Sequence, residues 1–132
     1  MNENALLYEY SILRYVPSIE RGEFINVGLM MMCKRRRWLR TAITVSRERI
    51  MVFDPGADIA TIERQLSMFS TTSPALADLP VEERFRWFSA VKSASIQTSR
   101  PHPGLIPCDD GTVPATEILD AEFDRLYSIL IL

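Results

Sequence analysis

The chain predicts an α+β fold, with an antiparallel sheet of three to four strands that opens as a meander and helices packed on one face. Three observations carry that expectation. Residues 7–16 and 23–33 have strand character and are joined by a short turn. Residues 59–69 and the stretch after Pro114 change to the helical period. The links between the first three strand candidates are too short for a parallel crossover, which needs a dozen or more residues. Strand runs and helix runs that segregate rather than alternate belong to α+β architectures.

Residues 7–16 place Tyr8, Tyr10, Ile12, Arg14 and Val16 on one side and Leu7, Glu9, Ser11, Leu13 and Tyr15 on the other, the period of two expected of a strand. Pro17 ends it, and Gly22 supplies the positive φ that a tight turn can require. The run Glu23 to Cys33 is apolar almost throughout and reads as a central strand covered on both sides. Gly28 inside it signals a bulge or the close approach of another backbone. Met30, Met31 and Met32 alternate sides, which favours adaptable core filling over a binding stripe. After the basic turn Lys34 to Arg37, a third strand runs from Trp38 to Val45.

A short turn or helix follows over 48–53 and is broken by Asp54-Pro55-Gly56. Asp58 then caps a helix whose Ile59, Ile62, Leu66 and Phe69 form one stripe. Residues 70–80 read as a connection, and a second helix starts near Val81 with Glu82 and Glu83 at its positive end. Phe85 and Phe88 point inward from it and Trp87 elsewhere. Ser93 to Ser99 is a fourth strand or extended edge, and the prolines of 100–114 predict an irregular loop. Pro114 opens the last helix. The predicted core is Ile12, Val27, Leu29, Ile62, Leu66, Phe69, Phe85, Phe123 and Leu126.

At 132 residues the chain reads as a single domain, 1–132, long enough to bury a core without metal or disulfide support. Cys33 and Cys108 fit neither a CxxC nor a zinc pattern, so they are expected to be reduced thiols in a cytoplasm. The N-terminus has no basic head of the kind a secretory signal carries, and no apolar run reaches the ~18 residues of a membrane span. The net charge of −2 divides unevenly: residues 1–50 hold nine Lys/Arg against five Asp/Glu, and residues 51–132 hold six against twelve. A sequence pI near 5.4 argues against non-specific nucleic-acid binding. It leaves open a local contact at the turn formed by Arg35, Arg36 and Arg37, which reads either as a solvated turn or as a surface for an anion or acidic partner.

No standard nucleotide cradle occurs, and a single histidine, His102, excludes any site that needs two. The adjacent pairs Glu82-Glu83 and Asp109-Asp110 do not make a metal pattern, and no cofactor or metal is expected. Arg14, Arg21, Glu23 and Asn26 sit where one strand ends and the next begins, so they admit two readings. One is structural, with Arg14 paired to Glu23 and Asn26 capping a backbone group near Gly28. The other is a pocket for an anion, with Ser99 and His102 joining from the late loop. Ile129, Leu130, Ile131 and Leu132 end the chain in four directions about 100° apart, so one sheet cannot cover them all. That tail is expected to contribute to an oligomer or partner interface.

The segments Tyr10-Ser11-Ile12-Leu13-Arg14-Tyr15-Val16-Pro17 and Arg21-Gly22-Glu23-Phe24-Ile25-Asn26-Val27-Gly28, with Ser99, Pro101 and Gly104, resemble a bacterial family catalogued as domain of unknown function 3037. The resemblance covers most of the chain, and its specific parts are Arg-Gly-Glu and Asn-Val-Gly. Members encoded beside HipA-like kinases imply an accessory role with a kinase-like or toxin/defence-type partner. The basic Lys34 to Arg37 turn and the triple Met depart from the family pattern. Two functional classes follow. The first is an accessory domain that binds a protein partner or a second copy, and it is favoured because no nucleophile and base pair stands out. The second is a small enzyme or an anion- or nucleotide-binding domain with a pocket at the hairpin of strands one and two.

Overall fold

The computed structural model describes residues 5–18, 20–69, 74–90, 93, 95–108 and 112–132. Met1 to Asn4 and the carboxylate pair Asp109-Asp110 lie outside the described residues. Strands β1 (Ala5–Tyr15), β2 (Ile25–Cys33) and β3 (Trp38–Ile43) form the expected antiparallel meander. Helices α1 (Arg47–Phe53), α2 (Ile59–Ser67), the single turn α3 (Pro74–Ala77) and α4 (Val81–Ser89) follow. Strands β4 (Ile96–Thr98) and β5 (His102–Pro107) precede the long helix α5 (Ala115–Leu130). The fold is α+β, an open antiparallel sheet of five strands with helices.

The order is β3-β2-β1-β4, with β5 also paired to β1. Since β2 occupies one edge of β1, both late strands share the other: β4 lies against Leu13 to Tyr15 and β5 against Ala5 to Tyr10. They form one outer strand interrupted at Ser99-Arg100-Pro101. Ser99 splices the break. Its Oγ accepts from the Ile12 amide at 2.8 Å, its own amide donates to the Ile12 carbonyl at 2.8 Å, and the Ser11 hydroxyl donates to its carbonyl at 2.5 Å. A side chain thus stands in for a missing ladder acceptor, keeping the buried backbone satisfied. The expected loop over 100–114 is therefore half strand. Its prolines do not prevent pairing, because Pro103 and Pro107 sit on an edge strand, where a missing N–H leaves no central ladder broken.

Gly28 marks a bulge. Leu13 pairs with Gly28 and Arg14 with Asn26, so Val27 is an extra residue in β2. A Cβ at Gly28 would meet the Ala42 carbonyl at 2.9 Å, which is the close backbone approach the sequence implied. The bulge also reverses the side-chain pattern. Ile25 and Val27 join Met30 and Met32 on one face, while Leu29, Met31 and Cys33 take the other.

Both faces are covered, which corrects the expectation of helices on one side. Ile50 of α1, Ile62 and Leu66 of α2, and Val81, Phe85 and Phe88 of α4 pack on the first face. Leu119, Phe123 and Leu126 of α5 pack on the second, over Leu6, Tyr8, Ile12, Leu29 and Met31. The reason is already in β2, whose apolar run is buried on both sides and must find cover twice. All nine predicted core residues are buried, and the three methionines fill both cores.

Local signals set the helix starts. The Asp58 side chain accepts from the Thr61 amide at 3.1 Å and caps α2, and Ser46 does the same for α1 through Arg49. Pro80 and Pro114 stand at the caps of α4 and α5 without a side-chain hydrogen bond.

Candidate functional site

The four polar residues of the first hairpin do not converge. Arg21 and Glu23 pair with each other at 2.7 Å. They line a concavity of about 280 Å³ with Pro17, Ser18, Phe53, Asp54 and Pro55. On its inner side the Tyr15 hydroxyl donates to Asp54 at 2.7 Å, and its pKa is pushed up to about 12 by burial and then by that carboxylate. Arg14 and Asn26 are register partners on the opposite, α5 side. Arg14 stacks its guanidinium 4.1 Å over the Phe24 ring, with burial lowering its pKa. Asn26 donates from Nδ2 to the Leu130 carbonyl at 3.1 Å. It therefore satisfies a C-terminal carbonyl of α5, which the helix itself cannot do.

His102, exposed on β5, pairs in register with Tyr10 and lies 5.2 Å from its ring. Ser99 is buried in the strand splice. In the tail, Ile131 is only 1% exposed and belongs to the core under α5, and Leu130 packs against it. Ile129 and Leu132 are 66% and 73% exposed. Arg49 donates to the Ile131 carbonyl at 2.6 Å, so the end of α5 is held by side chains of α1 and β2.

The α5 face uses its charged groups internally. Arg40 bridges Asp120 and Asp124, each at 3.2 Å, and lies 4.3 Å over the Phe123 ring. Arg125 holds Glu122 with two hydrogen bonds at 2.6 and 2.8 Å. The Tyr8 hydroxyl donates to Glu122 at 2.5 Å. Arg125, and then Tyr8, stabilises the ionised carboxylate and lowers the Glu122 pKa. Burial, and then Glu122, pushes the Tyr8 pKa up to about 12. The Tyr8 ring lies over Gly104, where any Cβ would collide with it.

The basic β2–β3 turn differs. Lys34, Arg35, Arg36 and Arg37 are all exposed. The turn closes through the Arg37 amide and the Lys34 carbonyl at 3.1 Å, with Arg37 at φ 52°, the left-handed region that favours glycine. Beside it opens a concavity of about 540 Å³ lined by Lys34, Arg37, Asp78, Leu79, Pro80, Val81, Glu82 and Arg84. A smaller one, of about 130 Å³, shares Lys34 and Glu82 and continues to Leu7, Glu9 and Arg86. Together they form a trough along the start of α4, and Leu7, on the wall of the smaller one, is 64% exposed. Among the described residues, none of Lys34, Arg37, Arg84 and Arg86 makes an ion pair. Arg84 buries its Nε without an acceptor.

Sequence reading found the turn but not Arg84, Arg86 or Asp78. Glu82 and Glu83 read as the first turn of a helix, and nothing local says which turn of the sheet that start will meet. Among the described residues, no group of His, Cys, Asp and Glu gathers to hold a metal ion, and no helix is long and apolar enough to cross a membrane.

No curated protein and no solved structure matches the chain. A family model described as "Protein of unknown function (DUF3037)" matches residues 10–128. That span contains the five-stranded sheet apart from the first residues of β1, the trough walls from Lys34 to Arg86 and nearly all of α5, so the chain belongs to the DUF3037 family.

Proposed function

We propose that the domain is an accessory, protein-interaction module that seats an acidic segment of a partner protein in the trough between the β2–β3 turn and α4. The observation that carries this reading is a set of cations that make no ion pair among the described residues, Lys34, Arg37, Arg84 and Arg86, lining two concavities that share Lys34 and Glu82. Arg40 and Arg125 of the α5 face, by contrast, are engaged by carboxylates. Unpaired clustered guanidinium groups steer and grip carboxylates, and two adjoining concavities along one helix suit an extended chain better than a compact ligand. Leu7 on the wall of the smaller concavity offers an apolar contact. In this reading residues 1–132 act as one unit in a reducing cytoplasm, in keeping with Cys33 and Cys108 not being joined in a disulfide.

The test is binding of a short glutamate- and leucine-bearing peptide to the full chain, followed by calorimetry at rising salt. Wild type binds, and the affinity falls with salt as counterions compete. The double variant Lys34→Glu/Arg37→Glu weakens binding about tenfold or more while the circular dichroism spectrum is retained. Undiminished binding in that variant would falsify the assignment of the trough.

A further inference from the structure

We infer that the wider end of the trough is a seat for a single phosphoryl group carried on the partner segment. This rests on the reading of the trough as a binding site for an acidic segment. Three cations from two separate elements face one concavity: Lys34 and Arg37 from the β2–β3 turn, and Arg84 from α4. A carboxylate carries one charge and pairs well with one guanidinium. A phosphate monoester carries about two charges at pH 7 and three acceptor oxygens, enough to bond all three cations at once.

Arg37 supplies an independent sign. It stands at φ 52°, where glycine is the easier residue, and it lines the concavity with its side chain. A chain that needed only the turn would be better served by glycine there. Acidic groups set the upper limit on charge. Asp78 and Glu82 line the same concavity, and Glu9 lines the next. A nucleic-acid backbone laid along the trough would bring successive phosphates against Asp78, Glu82 and Glu9, whereas one phosphoryl group flanked by neutral or apolar residues needs only the three cations of the wider concavity. Leu7, on the wall of the smaller concavity, fits an apolar residue of the same segment.

The experiment uses the full chain, isotopically labelled, with three probes measured by calorimetry and amide shifts: a short peptide bearing phosphoserine followed by leucines, the same peptide with glutamate in its place, and inorganic phosphate. The phosphopeptide binds about tenfold or more tightly than the glutamate peptide, and shifts the amides of Lys34, Arg37 and Arg84. Arg37→Gly keeps the turn, because glycine accepts its φ, and loses most of that preference. Arg84→Gln loses it as well. Equal affinity for the two peptides overturns the phosphoryl seat yet leaves the acidic-segment reading standing. Failure of both peptides to bind removes both. Inorganic phosphate matching the phosphopeptide, or a preference that survives in both variants, also overturns the seat.

Discussion

Under α5, Arg40 lies between Asp120 and Asp124, Arg125 grips Glu122, and Asn26 and Arg49 take the last carbonyls of the helix. Beside α4, on the other side of the same sheet, Lys34, Arg37, Arg84 and Arg86 line a trough and make no ion pair among the described residues. The same residue types therefore do different work on the two faces. Around α5 they orient a helix over an apolar core, and around α4 they remain open to something that binds. Truncation should lower stability on the first face and leave it nearly unchanged on the second.

The largest expected effect is at the centre of the α5 face. Phe123 is buried between Trp38, Tyr127 and the Arg40 guanidinium. Phe123→Ala should cost about 3–5 kcal/mol in urea unfolding, from lost transfer free energy and the remaining cavity. Gly104→Ala comes next. The new Cβ must displace the Tyr8 ring and with it the hydrogen bond to Glu122, at a cost of about 1–3 kcal/mol in the same measurement.

Acid titration of unfolding, compared between wild type and Glu122→Gln, reports on Glu122. Its folded pKa is lowered, first by Arg125 and then by Tyr8, so its contribution is present above the ordinary carboxylate value and is lost as pH falls through the lowered one. Glu122→Gln should flatten that part of the stability profile. Tyr8 has the opposite sign: its contribution is complete below the ordinary tyrosine value and is lost as pH rises toward about 12. Tyr8→Phe should flatten the alkaline limb.

The smallest effects belong to the trough. Arg37→Gly should raise stability by up to about 1 kcal/mol, since a left-handed backbone no longer carries a Cβ. Lys34→Ala should change it by no more than about 0.5 kcal/mol in thermal unfolding. A loss of 2 kcal/mol or more, taken here as roughly four times the usual surface effect, in either variant would mean that the trough cations are structural after all and would dissolve the contrast between the faces.

Much of the fold was legible because it is written in local periodicity. Tyr8 and Ile12 on one side of β1 and Leu13 and Tyr15 on the other follow from a period of two, and each side found its own core. Asp58 as a cap and Gly28 as a point of close approach depend on nearby backbone geometry, so they too could be read directly. The strand β5 could not. Three prolines spoke for a loop, and only the free edge of β1 made an extended, proline-bearing segment worth pairing.

The candidate site was legible only as a list of residues. The chain itself determined that Lys34 to Arg37 form a charged turn, that Glu82 to Arg86 start a helix, and that Arg14, Arg21, Glu23 and Asn26 surround a hairpin. Tertiary structure decided which of these meet. The extra residue Val27 keeps Asn26 on the α5 face, where it joins Arg14 and the end of the helix, leaving Arg21 and Glu23 to each other. Packing of Phe85 and Phe88 against the sheet carries Arg84 and Arg86 to the basic turn, some fifty positions earlier in the chain. The reason is physical: periodicity fixes which side of an element is apolar, whereas the polar groups that become neighbours depend on where that apolar side is buried, and no local pattern encodes a contact between elements so far apart.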